Sequence, residues 1–193
     1  PRSTRNRTLS PYTTLFRSPR TRPAPDAILG GGDDAALVLA YLQGKVALDV
    51  ATLAATATAL HQPVPRVALG LALRGIANSA IDISDGLLAD LGHILERSGV
   101  AAEIDFSALP ASPSLRPYLV QPLGKRCMLA GGDDYELCFT VPAARHAEVG
   151  RISAQLGLPL SCIGKISAGK GCTLRAADGS VMTIMETGYD HFA

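Results

Sequence analysis

Three polar side chains stand together where an apolar stretch of the sequence ends: Asp82, Ser84 and Asp85, followed at once by Gly86. The preceding residues are typical of a short buried strand, and apolar residues at helical spacing follow, so a strand-to-helix turn is predicted. Backbone N–H groups at such a turn favour anions, and carboxylates there can hold Mg²⁺ against a phosphate. Ser and Asp in front of a helix are also ordinary N-caps, and this interpretation stays open.

A second acidic turn lies later in the chain, where Gly131 and Gly132 precede Asp133 and Asp134. The glycines allow a sharp bend or a close backbone approach, and the alternation over residues 135–141 predicts a strand. Acids beside a double glycine more often cap a turn than bind a ligand. With two acidic turns in one chain, however, a shared polar site becomes a serious hypothesis.

The glycine run at residues 30–32, followed by Asp33 and Asp34, is a weaker signal. No Gly-Lys-Ser/Thr follows it, so a phosphate-binding loop is not indicated. We expect a tight turn into a helix that reaches about residue 44, with one of the two acids as its cap. His61 is expected to end the next helix, and no chemistry is assigned to it.

Helical and strand patterns alternate along the rest of the chain. Predicted helices cover residues 49–60, 67–76 and 143–156, besides the one after Gly86. Predicted strands cover residues 101–106, 135–141 and 160–166, and a hairpin joins 169–175 to 181–185 across Asp178 and Gly179. A proline-rich connection with room for one short helix follows the strand at 101–106. This pattern favours an α/β fold of the α+β type.

Composition sets further limits. A chain of 193 residues with 47% hydrophobic residues can bury one good core. It has no apolar run of about 18 residues, so no membrane span is predicted. The four cysteines form no C-x-x-C pair, which argues against a zinc site or a disulfide framework and fits buried thiols in a reducing cytoplasm.

The formal net charge of +1 is unevenly distributed. Residues 1–25 hold six arginines and no acid; without those six, 12 basic residues stand against 17 acidic ones. An acidic body argues against a nucleic-acid partner. The basic segment is rich in Ser, Thr and Pro, so we expect residues 1–27 to be a disordered leader foreign to the domain, and residues 28–193 to form the domain. An organelle transit peptide remains an alternative.

Three segments in order resemble the thiamine-monophosphate kinase family. They are NSAIDISDGL at residues 78–87 with DLGHI at 90–94, AGGDDYELCFT at 130–140, and GYDHF at 188–192. Gly32-Asp33 and the HQPVPR segment at 61–66 are similar to preceding parts of that family. The resemblance covers roughly residues 28–192.

The resemblance implies a fold and an activity. The fold is that of the C-terminal domain of the aminoimidazole ribonucleotide synthetase-like (PurM-like) superfamily, a mixed sheet with helices packed against it. The activity is ATP-dependent phosphorylation of thiamine monophosphate to thiamine diphosphate in the cytoplasm. Homodimers are expected for full-length members, whereas residues 1–27 resemble nothing in the family's N-terminal domain, so the chain is expected to be truncated.

The family's residue roles carry over to matching positions. Asp82 and Asp85 would be Mg²⁺ ligands, and Ser84 would contact ATP. Asp133 stands where the family commonly has a substrate-binding acid, often Glu, and Tyr189 matches an aromatic position that packs on thiamine monophosphate. A carboxylate and an aromatic face suit a cationic thiazolium ring. Docking of the C-terminus onto the core is the simpler explanation of the aromatic ending.

Three alternatives to an active kinase remain. The chain could be another ATP-dependent synthetase of the same superfamily, although its ending at 188–192 is of the thiamine type. It could be a non-catalytic module that binds thiamine phosphates. It could also be an inert fragment whose apolar surface makes it self-associate.

Overall fold

A computed structural model describes residues 34–133 and 135–183 of the chain, together with the backbone of residues 13–17. None of the helices within these residues is long and apolar enough to cross a membrane.

The described residues form six α-helices and seven strands. The helices are α1 (Asp34–Leu42), α2 (Val50–His61), α3 (Val67–Ala72), α4 (Leu87–Ser98), α5 (Pro122–Ala130) and α6 (His146–Leu156). The strands are β1 (Thr13–Arg17), β2 (Ser79–Asp82), β3 (Val100–Asp105), β4 (Leu137–Pro142), β5 (Ser161–Ala168), β6 (Gly171–Arg175) and β7 (Val181–Met182). Short 3₁₀ turns occupy Phe106–Ala108, Arg116–Tyr118 and Ala143–Arg145.

All seven strands belong to one sheet, in the order β2-β4-β1-β5-β3-β6-β7. The β3–β6 pair is parallel and the other pairs are antiparallel. The sheet is therefore mixed and carries helices, as predicted for the fold class.

Strand β1 corrects one expectation from the sequence. Residues 1–27 were expected to be disordered, yet Thr13–Arg17 pairs with β4 on one side and β5 on the other. Without it, β4 and β5 would have no shared neighbour among the described strands. The sequence TTLFR explains why a strand forms here, because β-branched and aromatic residues favour strands. This run of five residues is not visible in the average composition of residues 1–27.

Two apolar clusters flank the sheet. Cys138 and Phe139 are consecutive residues of β4, so their side chains point to opposite faces. Cys138 belongs to the larger cluster, which includes residues of α1, α4 and α5. Phe139 belongs to the smaller cluster, which includes residues of α3 and α6. The sheet is thus covered by helices on both faces, and α2 packs against α1.

Most predicted elements are present, with differences at their ends. Helix α3 stops at Ala72 rather than near residue 76, and the proline-rich connection carries the nine-residue helix α5 as well as two 3₁₀ turns. Cys127 and Cys138 are buried as expected, but Cys162 and Cys172 are exposed. Asp34 is the first residue of α1, where its buried carboxylate accepts a 2.6 Å hydrogen bond from the Ser112 hydroxyl.

Candidate functional site

The turn after β2 carries the first group of predicted site residues. Strand β2 ends at Asp82, whose side chain is exposed, and helix α4 begins at Leu87. Ser84 and Asp85 lie between them and are half-buried. Gly86 has a φ of 116°, and a Cβ there would lie 2.8 Å from the backbone of Ala130. Only glycine accommodates both the conformation and the close approach.

The carboxylate of Asp90 fixes the backbone of this turn. From the first turn of α4 its Oδ2 accepts the Ser84 N–H at 2.9 Å and the Asp85 N–H at 3.0 Å. Asp90 is only 3% exposed. Burial raises the pKa of this carboxyl, and the two N–H donors offset part of the rise. Asp90 therefore organises the segment in which Ser84 and Asp85 lie.

The two acidic turns are bonded directly to each other. The Asp133 N–H donates to the Ser84 carbonyl at 3.0 Å, and the Tyr135 N–H donates to the Ile83 carbonyl at 3.0 Å. The Ile83 N–H in turn donates to the Glu136 carbonyl at 2.8 Å. These bonds extend the β2–β4 pairing beyond the strands, so segments about 50 residues apart in sequence form one rigid unit.

The second turn has an unusual backbone. Asp133 and Tyr135 have φ values of 66° and 52°, in the left-handed region that non-glycine residues rarely adopt. Such a conformation costs on the order of 1–3 kcal/mol per residue and persists only where the surroundings impose it. Here the bonds to Ile83 and Ser84 impose it, and strain of this kind is frequent at functional sites.

Ser84, Asp85 and Asp133 line one cavity of about 420 Å³ between the two turns, α1 and α5. This volume lies within the roughly 300–1,000 Å³ typical of small-molecule sites. Its wall includes the apolar side chains of Leu39 and Leu123. The predicted shared polar site thus coincides with a cavity of suitable size.

The structure separates the predicted residues into three groups. Ser84, Asp85 and Asp133 line the cavity, whereas Asp82 is not among its lining residues. Tyr189 lies outside the described residues, as does Asp134. Within the described part of the chain, no three His, Cys, Asp or Glu side chains cluster in a way that could hold a metal ion.

Sequence reasoning missed three residues around this site. Asp90 was part of a matched motif, but its reach back onto the turn was not predicted. Lys45 and Arg126 line the same cavity as the acids, and both side chains are exposed. An acid in the first turn of α4 was a visible signal for Asp90. No local pattern marked the two cations, because folding alone brings them to the cavity.

The fold and the site define a class of protein. The chain belongs to the family described as AIR synthase related protein, C-terminal domain, whose profile matches residues 24–177.

Within that family, the chain is similar to curated thiamine-monophosphate kinases. The enzyme of Salmonella typhimurium is 42% identical over 167 residues, which are 86% of this chain and 51% of the relative. The enzyme of Haemophilus influenzae is 43% identical over 164 residues, or 83% of this chain and 50% of the relative. The chain thus spans about half the length of the curated relatives it matches.

Solved structures of such kinases are similar to the chain as well. The thiamine-monophosphate kinase of Stenotrophomonas maltophilia K279a matches with a TM-score of 0.74 and 38% identity, covering 92% of this chain and 54% of that one. The structure of AaThiL complexed with AMPPCP and TMP matches with a TM-score of 0.70 and 28% identity, covering 97% of this chain and 53% of that one.

Proposed function

We propose that this chain forms part of the site of an ATP-dependent kinase that converts thiamine monophosphate to thiamine diphosphate. The observation that carries the proposal is the bonded pair of turns, which brings Ser84, Asp85 and Asp133 to one cavity. Its similarity to thiamine-monophosphate kinases, and to a structure complexed with AMPPCP and TMP, supports this assignment.

The proposed roles follow from the chemistry of each side chain. Asp85 and Asp82 would hold Mg²⁺, Ser84 would contact ATP, and Asp133 with Tyr189 would bind the substrate. Asp85 at the cavity and Asp82 at the end of β2 would offer two carboxylates, the number that usually holds Mg²⁺ together with waters and substrate phosphates. When bound, Mg²⁺ screens the charges of the two phosphate groups that must approach each other.

The proposed transfer needs no general base, because the acceptor phosphate is already an oxyanion. One of its oxygens forms a bond to the γ-phosphorus of ATP, and the bond from that phosphorus to the β–γ bridging oxygen breaks, which releases ADP. The work of this chain is then to position the reactants. The rigid link between the turns at Ser84 and Asp133 suits this role, since small displacements reduce transfer rates strongly.

Calorimetric titration tests the proposal. Thiamine monophosphate is titrated into the chain with and without Mg²⁺ and AMPPCP, a non-hydrolysable ATP analogue, and an ADP-release assay follows. We expect Mg²⁺-dependent binding that Asp85→Asn weakens. Asp178→Asn is the control, because it removes the same charge from the exposed β6–β7 turn, where asparagine is equally suited. A folded, monodisperse sample that binds neither ligand would overturn the proposal.

The length of the chain relative to its relatives favours one second candidate, a module that binds thiamine phosphates without turnover. Binding with no ADP release would support it. The proposal also includes a cytoplasmic location and, for full-length members of the family, a homodimer. Light scattering of the purified chain measures its own oligomeric state.

A further inference from the structure

The cavity at the two turns is lined by two cationic side chains as well as two acids. Lys45 follows α1 and Arg126 lies on α5, and both line the cavity together with Asp85 and Asp133. Two positive and two negative side chains around one small cavity form a charge pattern that a purely apolar or purely anionic ligand does not match.

The fold holds Lys45 in place through the end of α1. The Gly44 N–H donates to the Tyr41 carbonyl and the Lys45 N–H donates to the Ala40 carbonyl, both at 2.9 Å, and Gly44 has a φ of 72°. Gly44, in this left-handed conformation, ends the helix and sets the direction of the backbone at Lys45.

Helix α5 connects Arg126 to the same turn as Asp133. The helix ends at Ala130, directly before Gly131, and α1 packs against it. A Cβ on Gly131 would lie 2.5 Å from the Cβ of Ala36 in α1, so this contact is tight. The two cations are therefore carried by helices that are fixed to each other and to the glycine turn.

We propose that Lys45 and Arg126 bind the phosphate of a zwitterionic phosphomonoester, with the cationic ring of the same molecule near Asp133. Lysine and arginine form strong charge-assisted hydrogen bonds with phosphate, and a carboxylate favours a nearby cation. A nucleotide offers phosphates to the two cations and, with Mg²⁺, a cation to Asp85, but it has no positively charged ring for Asp133. The ring has an apolar surface at Leu39 and Leu123.

This assignment rests on the proposed function and makes it specific: the two cations recognise the acceptor phosphate, which distinguishes thiamine monophosphate from thiamine. The test measures the dissociation constants of thiamine monophosphate, thiamine and AMPPCP for the full chain and for Lys45→Met and Arg126→Met. Lys125→Met is the matched control, because it removes a charge from the adjacent position of α5 that does not line the cavity.

We expect each cavity variant to weaken binding of thiamine monophosphate about tenfold, the effect of one lost hydrogen bond to a charged group. Binding of thiamine and of AMPPCP should change less than twofold, and Lys125→Met should change none of the three. Arg126→Lys should lie between wild type and Arg126→Met, because it keeps the charge but not the two-pronged geometry.

Several results would overturn the assignment. Unchanged binding of thiamine monophosphate in both cavity variants would remove the cations from the site while leaving the proposed function intact. Equal losses for thiamine and its monophosphate would indicate a general effect on the cavity, and a loss confined to AMPPCP would assign the cations to the nucleotide. A wild-type chain that binds none of the three would refute the proposed function and this inference with it.

Discussion

Arg66 and Glu136, 70 positions apart in sequence, form a two-pronged ion pair: Arg66 Nε donates to Glu136 Oε2 at 2.8 Å and Nη2 donates to Oε1 at 2.7 Å. The two side chains are 9% and 0% exposed. Arg66 follows the prolines that end α2, whereas the Glu136 backbone is bonded to Ile83 at the acidic turns. The pair therefore connects the α2–α3 segment to the candidate site.

We expect Arg66→Met to lower the free energy of unfolding by about 3–5 kcal/mol, because it removes the two-pronged ion pair from a fully buried carboxylate. Urea unfolding measures the loss. The double variant Arg66→Met/Glu136→Met should recover much of it, since the buried Glu136 charge is then removed as well. Glu148→Gln is the control: it breaks an ion pair with Arg145 that is 36% and 29% exposed, and should have a much smaller effect. Equal losses in the two single variants would contradict the argument.

Gly132 packs against the backbone of the first turn so closely that no side chain fits. An added Cβ would overlap the Ser84 carbonyl oxygen and lie 3.2 Å from the Cα of Asp85. Gly132→Ala should therefore cost about 1–3 kcal/mol of stability and weaken ligand binding, because the turns must move apart. Gly150→Ala in α6 is the control, as a Cβ there meets nothing within 4 Å. It should stabilise the helix by up to about 1 kcal/mol.

Strand β1 joins β4 to β5, so its backbone should be required for folding. Thr14 pairs with Val141 on one side and Lys165 on the other. Thr14→Pro removes one N–H from the middle of the sheet, where proline is not tolerated. We expect the thermal midpoint to fall by on the order of 10 °C, whereas Thr14→Val keeps the N–H and should match wild type. An unchanged midpoint for Thr14→Pro would show that the sheet does not depend on β1.

Glu103 makes stability depend on acid pH. Arg175 Nε donates to its Oε2 at 2.6 Å and Lys165 Nζ lies 2.9 Å from its Oε1. First the Arg175 bond and then the Lys165 bond hold the pKa of Glu103 below its ordinary 4.5. Because the folded pKa is the lower one, the stabilisation is present above about pH 4.5 and is lost as the pH falls through the folded value.

Thermal unfolding of wild type and Glu103→Gln between pH 7 and pH 2 tests this. The variant should be less stable at neutral pH, and the two curves should converge in acid. Glu96→Gln removes the same charge from the exposed side of α4 and provides the control. A constant offset between wild type and Glu103→Gln at every pH would mean that the effect does not come from the ionised carboxylate.

Helix α4 shows why part of this fold was predictable. Its buried positions Leu87, Leu91, Ile94 and Leu95 follow the helical period of the sequence. Local signals also marked α2, where Asp49 caps the helix by accepting the Thr52 N–H at 2.8 Å. Where one short segment contains both its apolar stripe and its cap, the local sequence pattern is enough to predict the helix.

Other features depend on partners that no local window contains. Helix α5 is short and contains Gly124, a poor helix former that packs directly against the Tyr118 backbone. The strand-favouring residues of β1 could not reveal that it would pair with both β4 and β5. Similarly, the acids of the two turns were predictable as candidates, but Lys45 and Arg126 were not, since only the packing of α1 on α5 brings them to the cavity.

Asp90 provides the sharpest test of how the first turn is built. Its Oδ2 accepts two N–H groups, from Ser84 and Asp85, and burial raises the pKa of its carboxyl. Asp90→Ala leaves both N–H groups without this acceptor and should cost about 1–3 kcal/mol. Asp90→Asn keeps an acceptor oxygen at the same position and removes a charge that burial disfavours, so its stability should stay near that of wild type.

Hydrogen exchange at the Ser84 and Asp85 amides distinguishes a local effect of Asp90 on this turn from a general loss of stability. Asp90→Ala should accelerate exchange at these two amides more than in the centre of β4, and it should weaken Mg²⁺-dependent binding of AMPPCP. Asp90→Asn should preserve most of both. If Asp90→Asn instead abolishes binding while amide protection is intact, the negative charge of Asp90 is itself required, and the carboxylate acts on the bound ion rather than through the turn.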